Sequence, residues 1–229
     1  MNVEKELRKA QKYNIVSFDI FDTLIERNVE KTTDIFFRTG MEYFLDYRKA
    51  IDFQRRRVAA EHVARNISQT GEVNLDNIYN ALEGYDFETT EKLKSREIDT
   101  EINLCQPRSQ IVALFNRVKH LGVSLVLISD MYLPKSCLVE MLTKCGVDGY
   151  QALFVSNEYG CDKIGGSLFE VAHKVLNIKN AAHLHYGDSI KADVLGARKA
   201  KVTPRFVFRR NWFKRFINKL YESFRSKCR

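Results

Sequence analysis

Apolar residues follow two rhythms along the chain. Short runs, apolar almost throughout and rich in β-branched or aromatic residues, lie at Ile15–Asp19, Ser124–Ser129, Leu153–Ser156, His183–Gly187 and Arg205–Phe208. They are too short for helices and lack the alternation of a half-exposed strand, which predicts strands buried on both faces of a parallel sheet. Between the later runs apolar positions recur at helical spacing. Pro107 opens one such segment, running to His120 and ended by Gly122, and Pro134 opens PKSCLVEMLTKCG, ended by Gly146. Proline has no N–H to lose in a first turn, and glycine accepts the left-handed residue that closes a helix. GSLFEVAHKVLN and IKADVLGARKAK supply two more helices. Strand alternating with helix predicts an α/β fold on a parallel sheet.

The long stretch between the first run and the second shows no strand pattern. It reads as helices at Asp34–Tyr47, Arg48–Asn66, Leu75–Leu82 and Thr89–Leu104, punctuated by the loops SQTGEVN and EGYD. The expected organisation is a core of residues 1–32 and 105–208 and a helical insert at 33–104. Beyond it, residues 209–229 place Trp212, Phe216, Leu220 and Phe224 on one face of a basic amphipathic helix.

Charge sharpens this division. The net charge is +8, and nine Lys or Arg against one Glu between Arg205 and Arg229 account for all of it. The rest of the chain is neutral, which argues against a nucleic-acid surface on the body and leaves any basic partner surface to the tail. That tail suits peripheral attachment to an anionic membrane, or docking on a protein partner or on the domain itself. No apolar run approaches membrane-spanning length. The opening MNVEKELRKAQKYN lacks a signal-peptide core, and the five cysteines show no C-x-x-C spacing. A cytoplasmic protein with free thiols is expected, possessing at most a peripheral place at the inner membrane surface.

Ligands of an open parallel sheet bind at the carboxyl ends of its strands. The first run ends in Asp19, with Asp22 and Thr23 in the turn beyond. The second ends in Ser129 and Asp130, the third leads through NEYGCDK to Lys163, and the fourth ends in GDSIKAD with Asp188 and Asp193. Singly, each has an ordinary structural reading: Asp22 and Asp130 in turns, Asp188 as a helix cap, Lys163 at the surface. Together they bring carboxylates, a hydroxyl and an ammonium to one edge. Carboxylates without histidine or thiol suit Mg²⁺. An aspartate there can attack phosphorus, while a serine and a lysine hold phosphoryl oxygens.

FDIFDTL, ISD, Lys163 and GDSIKAD, in that order, resemble the motifs of the haloacid dehalogenase-like (HAD) hydrolase superfamily. The resemblance spans about Tyr13 to Phe208 and implies a Rossmann-like core, with the helical insert as a C1-type cap. It implies Asp19 as nucleophile, Mg²⁺ ligands in Asp19, the Phe21 carbonyl and Asp188, a phosphate contact from Ser129, and Asp193 orienting Lys163 or a metal-bound water. Thr23 is expected to bond local backbone in the turn. SFDIFDTLI, RVAAEHVAR, NIYNAL and SDMYLP resemble, more narrowly, a subgroup found beside or fused to glycosyltransferases of bacterial surface-polysaccharide loci, which implies a glycosyltransferase association.

The chain departs from the phosphatase pattern at Phe21, where typical members carry the acid that protonates the leaving group. General acid catalysis contributes roughly 10²–10⁴-fold. Asp22, one place later, either substitutes or merely stabilises the turn. In the insert, Arg57, Glu61 and Arg65 share a helix face, which reads as an anion-binding wall for substrate or as an ion ladder. His183 and His185 share a sheet face and read as packed or surface residues rather than ligands. The expected activity is a Mg²⁺-dependent phosphatase for a small metabolite such as a sugar phosphate. The alternatives are a metal-independent dehalogenase and a non-catalytic scaffold for a glycosyltransferase.

Overall fold

The computed structural model describes residues 2–177 and 182–208, so the tail helix expected at 209–229 lies outside the described residues. The chain starts with α1 (Val3–Ala10), whose first turn is capped by the Asn2 side chain, and enters β1 (Ile15–Phe18). After the turn beyond Asp19 comes β2 (Ile25–Arg27). The insert follows as α2 (Asp34–Phe44), α3 (Tyr47–Ile67), α4 (Leu75–Asn80) and α5 (Phe87–Leu104), and the chain returns through β3 (Cys105–Pro107). Then come α6 (Ser109–Val118), β4 (Ser124–Ser129), α7 (Lys135–Lys144), β5 (Ala152–Val155), α8 (Ser156–Tyr159) and α9 (Ser167–Val175). The described chain closes with β6 (His183–Gly187), a π-helical turn (Ile190–Gly196), α10 (Ala197–Lys199) and β7 (Thr203–Phe206).

Five strands form a parallel sheet in the order β5-β4-β1-β6-β7. The α/β class and the central parallel sheet are as expected. Strand order reverses at β1, so the carboxyl end of β1 faces the crevice where ligands of such sheets bind. Val16 and Phe18 face one side, where Phe18 stacks on Tyr186 at 4.8 Å and packs with Leu114, Phe115 and Met141 of the flanking helices. Ile15 faces the other side with Val126, Ile128 and Phe154, against Leu168, Phe169 and Ala172 of α9. Each such side chain contributes about 1.5–3 kcal/mol on burial.

Four details differ from the sequence pattern. Pro107 ends β3 rather than opening a helix, and α6 starts at Ser109. The last strand starts at Thr203 rather than Arg205. IKADVLGARKAK forms a π turn before a short α-helix. The ends of the insert are clasped by the antiparallel β2–β3 ribbon, in which Arg27 lies opposite Cys105; its strands are too short to show a periodicity.

Of the two readings of the Arg57, Glu61, Arg65 face, the structure shows the ion ladder: Glu61 pairs with Arg65 at 2.9 Å and with Arg57 at 3.3 Å, and Arg57 reaches deeper. Rather than lining an anion-binding wall, its side chain is fully buried between helices, donating from Nε and Nη2 to the two oxygens of Glu97 at 2.8 Å each. The guanidinium lies 4.3 Å from the ring centre of Phe36. Its fork is therefore taken up by the fold. Cys105, Cys137 and Cys145 are buried free thiols. Among the described residues no helix is long and apolar enough to cross a membrane.

Candidate active site

Several elements deliver polar groups to the carboxyl edge of the sheet. Asp19 follows β1, Asp188 follows β6, Asp193 rides on the π turn, and Lys163 comes from the loop after α8; all four are buried. Lys163 Nζ donates to Asp19 Oδ1 and to Asp193 Oδ1, each at 2.6 Å. Carboxylate oxygens of Asp19, Asp188 and Asp193 lie within 4.8 Å of one another. Ser129, also buried, ends β4 on the neighbouring strand.

Two glycines permit the convergence. A Cβ on Gly187 would overlap the Asp193 carboxylate, and one on Gly196 would overlap the Lys163 carbonyl. The π turn, a form frequent at functional sites, sets the phase that turns Asp193 inward. Ser189 N–H donates to Asp193 Oδ2 at 2.8 Å, and Asp130 Oδ1 accepts the Lys163 backbone N–H at 3.0 Å. Asp130 thus holds the lysine loop, and burial pushes its carboxyl up to about 6.

The electrostatics follow from this crowding. Burial raises the Asp19 carboxyl well above its ordinary value; Lys163 opposes the rise, and Asp193 and Asp188 add to it. Burial also presses on Asp193, but Lys163 and the His185 ring N–H outweigh it and keep that carboxyl well below the usual range. Lys163 stays charged because Asp19 and Asp193 overcome its desolvation. The three clustered carboxylates form an oxygen-only donor set, which fits a hard divalent cation.

In the turn after Asp19, Asp22 adopts φ +57°, a left-handed conformation that aspartate tolerates, and its carbonyl accepts from Arg108. The Phe21 ring lies 4.1 Å beneath the Arg27 guanidinium, which forks onto Glu101 at 2.6 and 2.9 Å. The Thr23 hydroxyl, expected to bond local backbone, is buried with no hydrogen-bond partner among the described residues. Arg65 binds Glu61 and the Gly71 carbonyl. Two clefts on the insert, about 400 Å³ beside Arg48 and Tyr85 and about 430 Å³ along Val63 and Glu72, are lined by none of the four converging groups.

Behind Asp193 runs a line of polar side chains that the pattern of the sequence leaves as packing. His185 Nε2 meets Asp193 Oδ1 at 3.0 Å, and His185 Nδ1 meets Ser17 Oγ at 2.7 Å. Ser17 Oγ also meets His183 Nε2 at 2.6 Å, and His183 Nδ1 meets His173 Nε2 at 2.8 Å. One trace of this was visible: Ser17 is the polar residue in an otherwise apolar strand, and the register sets it directly beside His185.

No protein-family model matches the chain, and no curated protein sequence matches it. Solved structures share its fold. A 2-haloacid dehalogenase from Pseudomonas syringae pv. Tomato aligns over 83% of this chain and 84% of its own, at 15% identity and a TM-score of 0.60. A candidate HAD hydrolase from Bacillus subtilis, solved with magnesium bound, aligns over 90% and 99%, at 14% identity and a TM-score of 0.58. A candidate beta-phosphoglucomutase from Thermotoga maritima aligns over 82% of each chain, at 18% identity and a TM-score of 0.56. The fold is therefore the one found in haloacid dehalogenase-like structures.

Proposed function

We propose that the chain is a Mg²⁺-dependent hydrolase of a small phosphorylated metabolite, a sugar phosphate being the leading class, with Asp19 as nucleophile. The observation that carries the reading is the convergence of Asp19, Asp188 and Asp193 around Lys163 at the edge of β1. Packing does not require three buried carboxylates to face one another, and a dication with a phosphoryl group relieves the repulsion. Asp19, the Phe21 carbonyl and Asp188 are the groups that would hold Mg²⁺, which supplies positive charge to developing phosphoryl charge.

An Asp19 oxygen forms a bond to phosphorus as the bond to the leaving oxygen breaks. Lys163 and Ser129 neutralise and orient the phosphoryl oxygens. Water then adds to the aspartyl-phosphate, releasing phosphate and restoring the carboxylate. The departing oxygen takes its proton from Asp22, from the insert acting as a cap, or from solvent, because Phe21 offers none.

Phe21 also favours a second reading, metal-independent displacement of a carbon-bound leaving group such as halide, which needs no protonation. A panel of phosphorylated metabolites and 2-haloacids, each with Mg²⁺ and with EDTA, separates the two. Phosphate release that requires Mg²⁺ and disappears in Asp19→Asn supports the first reading; halide release unaffected by EDTA replaces it with the second. Silence on every compound moves the chain to the scaffold reading, with a glycosyltransferase as the partner class.

A further inference from the structure

With its imidazoles neutral, the polar line behind Asp193 admits one arrangement of protons in which every contact is a hydrogen bond. The Asp193 carboxylate only accepts, so His185 Nε2 carries the hydrogen. The neutral ring then accepts at Nδ1, so Ser17 donates to it. Ser17 Oγ in turn accepts from His183 Nε2–H, and His183 Nδ1 accepts from His173 Nε2–H. All four bonds point the same way, from the partly exposed His173 toward the buried carboxylate.

We propose that this line is a positioning device: His185, held from behind by Ser17 and His183, fixes the Asp193 carboxylate and thereby aims the Lys163 ammonium at Asp19. The proposal rests on the reading of Asp19 as the reacting nucleophile. Three features favour it over simple packing. Ser17, His183 and His185 are at most 2% exposed, and apolar residues would fill such sites without needing partners. The Phe169 ring stands nearly perpendicular to His185 at 4.8 Å and blocks rotation of the imidazole. Asp193 Oδ1 receives both His185 and Lys163, so a movement of that carboxylate moves the ammonium. Burial depresses the basicity of both inner histidines, in keeping with their neutral form.

The test uses the full chain, labelled with ¹⁵N, in the parent and in His185→Leu, His185→Gln and Ser17→Ala. Glutamine keeps an N–H donor near the position of Nε2, and leucine does not. In the parent, the ring nitrogens of His183 and His185 report a hydrogen on Nε2. The Lys163 ammonium ¹⁵N signal shifts or broadens in His185→Leu and returns in His185→Gln. Turnover follows: His185→Leu lowers kcat roughly 10–100-fold with little change in KM, and His185→Gln recovers most of it. Ser17→Ala, which removes one hydroxyl and leaves both rings, gives a smaller loss and keeps the test open should the leucine variant not fold. A His185 hydrogen on Nδ1, or a Lys163 signal indifferent to His185, overturns the proposal. A parent without turnover overturns the hydrolase reading instead, and the nitrogen signals still decide whether the line positions Lys163.

Discussion

Two buried ionic clusters in this protein are built on different plans. In and beside the insert, Arg57 forks onto Glu97 and Arg27 of β2 forks onto Glu101, each in two-point geometry, with Arg57 also reaching Glu61 at 3.3 Å and the rings of Phe36 and Phe21 closing over the guanidinium faces. At the sheet edge one ammonium is shared between Asp19 and Asp193, and Asp188 crowds the same point. The first plan completes itself, each buried carboxylate accepting two hydrogen bonds from one guanidinium. The second sets like charges face to face, which burial makes costly. Burial of ions therefore does not by itself mark a reactive site; the crowding of like charge does.

The comparison breaks most visibly at Asp19. Asp19→Asn removes the nucleophile and one of the crowded charges. Turnover should fall by at least ~10³-fold. Stability should rise by on the order of 1 kcal/mol, the usual direction when a strained reactive group is neutralised. Substrate assays and a thermal melt read the two effects, and a destabilised Asp19→Asn would remove the distinction between the clusters.

Arg57→Met predicts the opposite pairing. Glu97 would be left buried without its cation, at a cost of about 3–5 kcal/mol. The Tyr79 hydroxyl, 2.8 Å from Glu97 Oε2, cannot replace the fork. Denaturant unfolding measures the loss. Adding Glu97→Leu should recover much of it, because the stranded charge goes with it. A single variant as stable as the parent would show that the pair is not structural.

The carboxyl end of the sheet was more legible in the sequence than the insert. Asp19, Ser129 and Asp188 are placed by strand ends and Lys163 by the loop beyond α8, and runs as short and β-branched as SLVLIS read as buried strands. Arg57 was legible only in part: helical spacing puts it on a face with Glu61, which it does reach, but its two-point partner Glu97 comes from a helix forty positions on. The β2–β3 ribbon and the Ser17–His185 contact were hidden for the same reason. Each depends on which distant segments meet, and single-chain periodicity carries no record of that. The π turn is hidden differently, since its one extra residue per turn leaves no mark in a run as short as IKADVLG.

A smaller effect is expected at Asp130, which shares the lysine loop without belonging to the carboxylate cluster. Burial raises its pKa to about 6, above the ordinary 3.8. The folded state therefore holds this proton more tightly than the unfolded chain does. The associated stability is present below about pH 4 and is lost as pH rises through 6. Asp130→Asn keeps an oxygen for the Lys163 N–H and carries no charge. It should exceed the parent by about 1–3 kcal/mol at pH 8, with the difference vanishing near pH 4. Melts at the two pH values check this, and a gain independent of pH would mean that the carboxylate is not the cause.

The smallest effect is expected at Arg65, the other arginine of the α3 face. Its side chain is 37% exposed, and its partner Glu61 is 24% exposed. Solvent screens such a pair, so Arg65→Ala should cost under about 1 kcal/mol, against the several expected at Arg57 only two turns away. The Gly71 carbonyl that Arg65 also holds lies in the loop between α3 and α4, so any further loss should appear as faster amide exchange in residues 68–73 rather than as global unfolding. Substrate kinetics then sort the two readings of this face. A raised KM with an unchanged melting temperature would make Arg65 an anion contact after all; an unchanged KM with local loosening leaves it as a clasp on that loop.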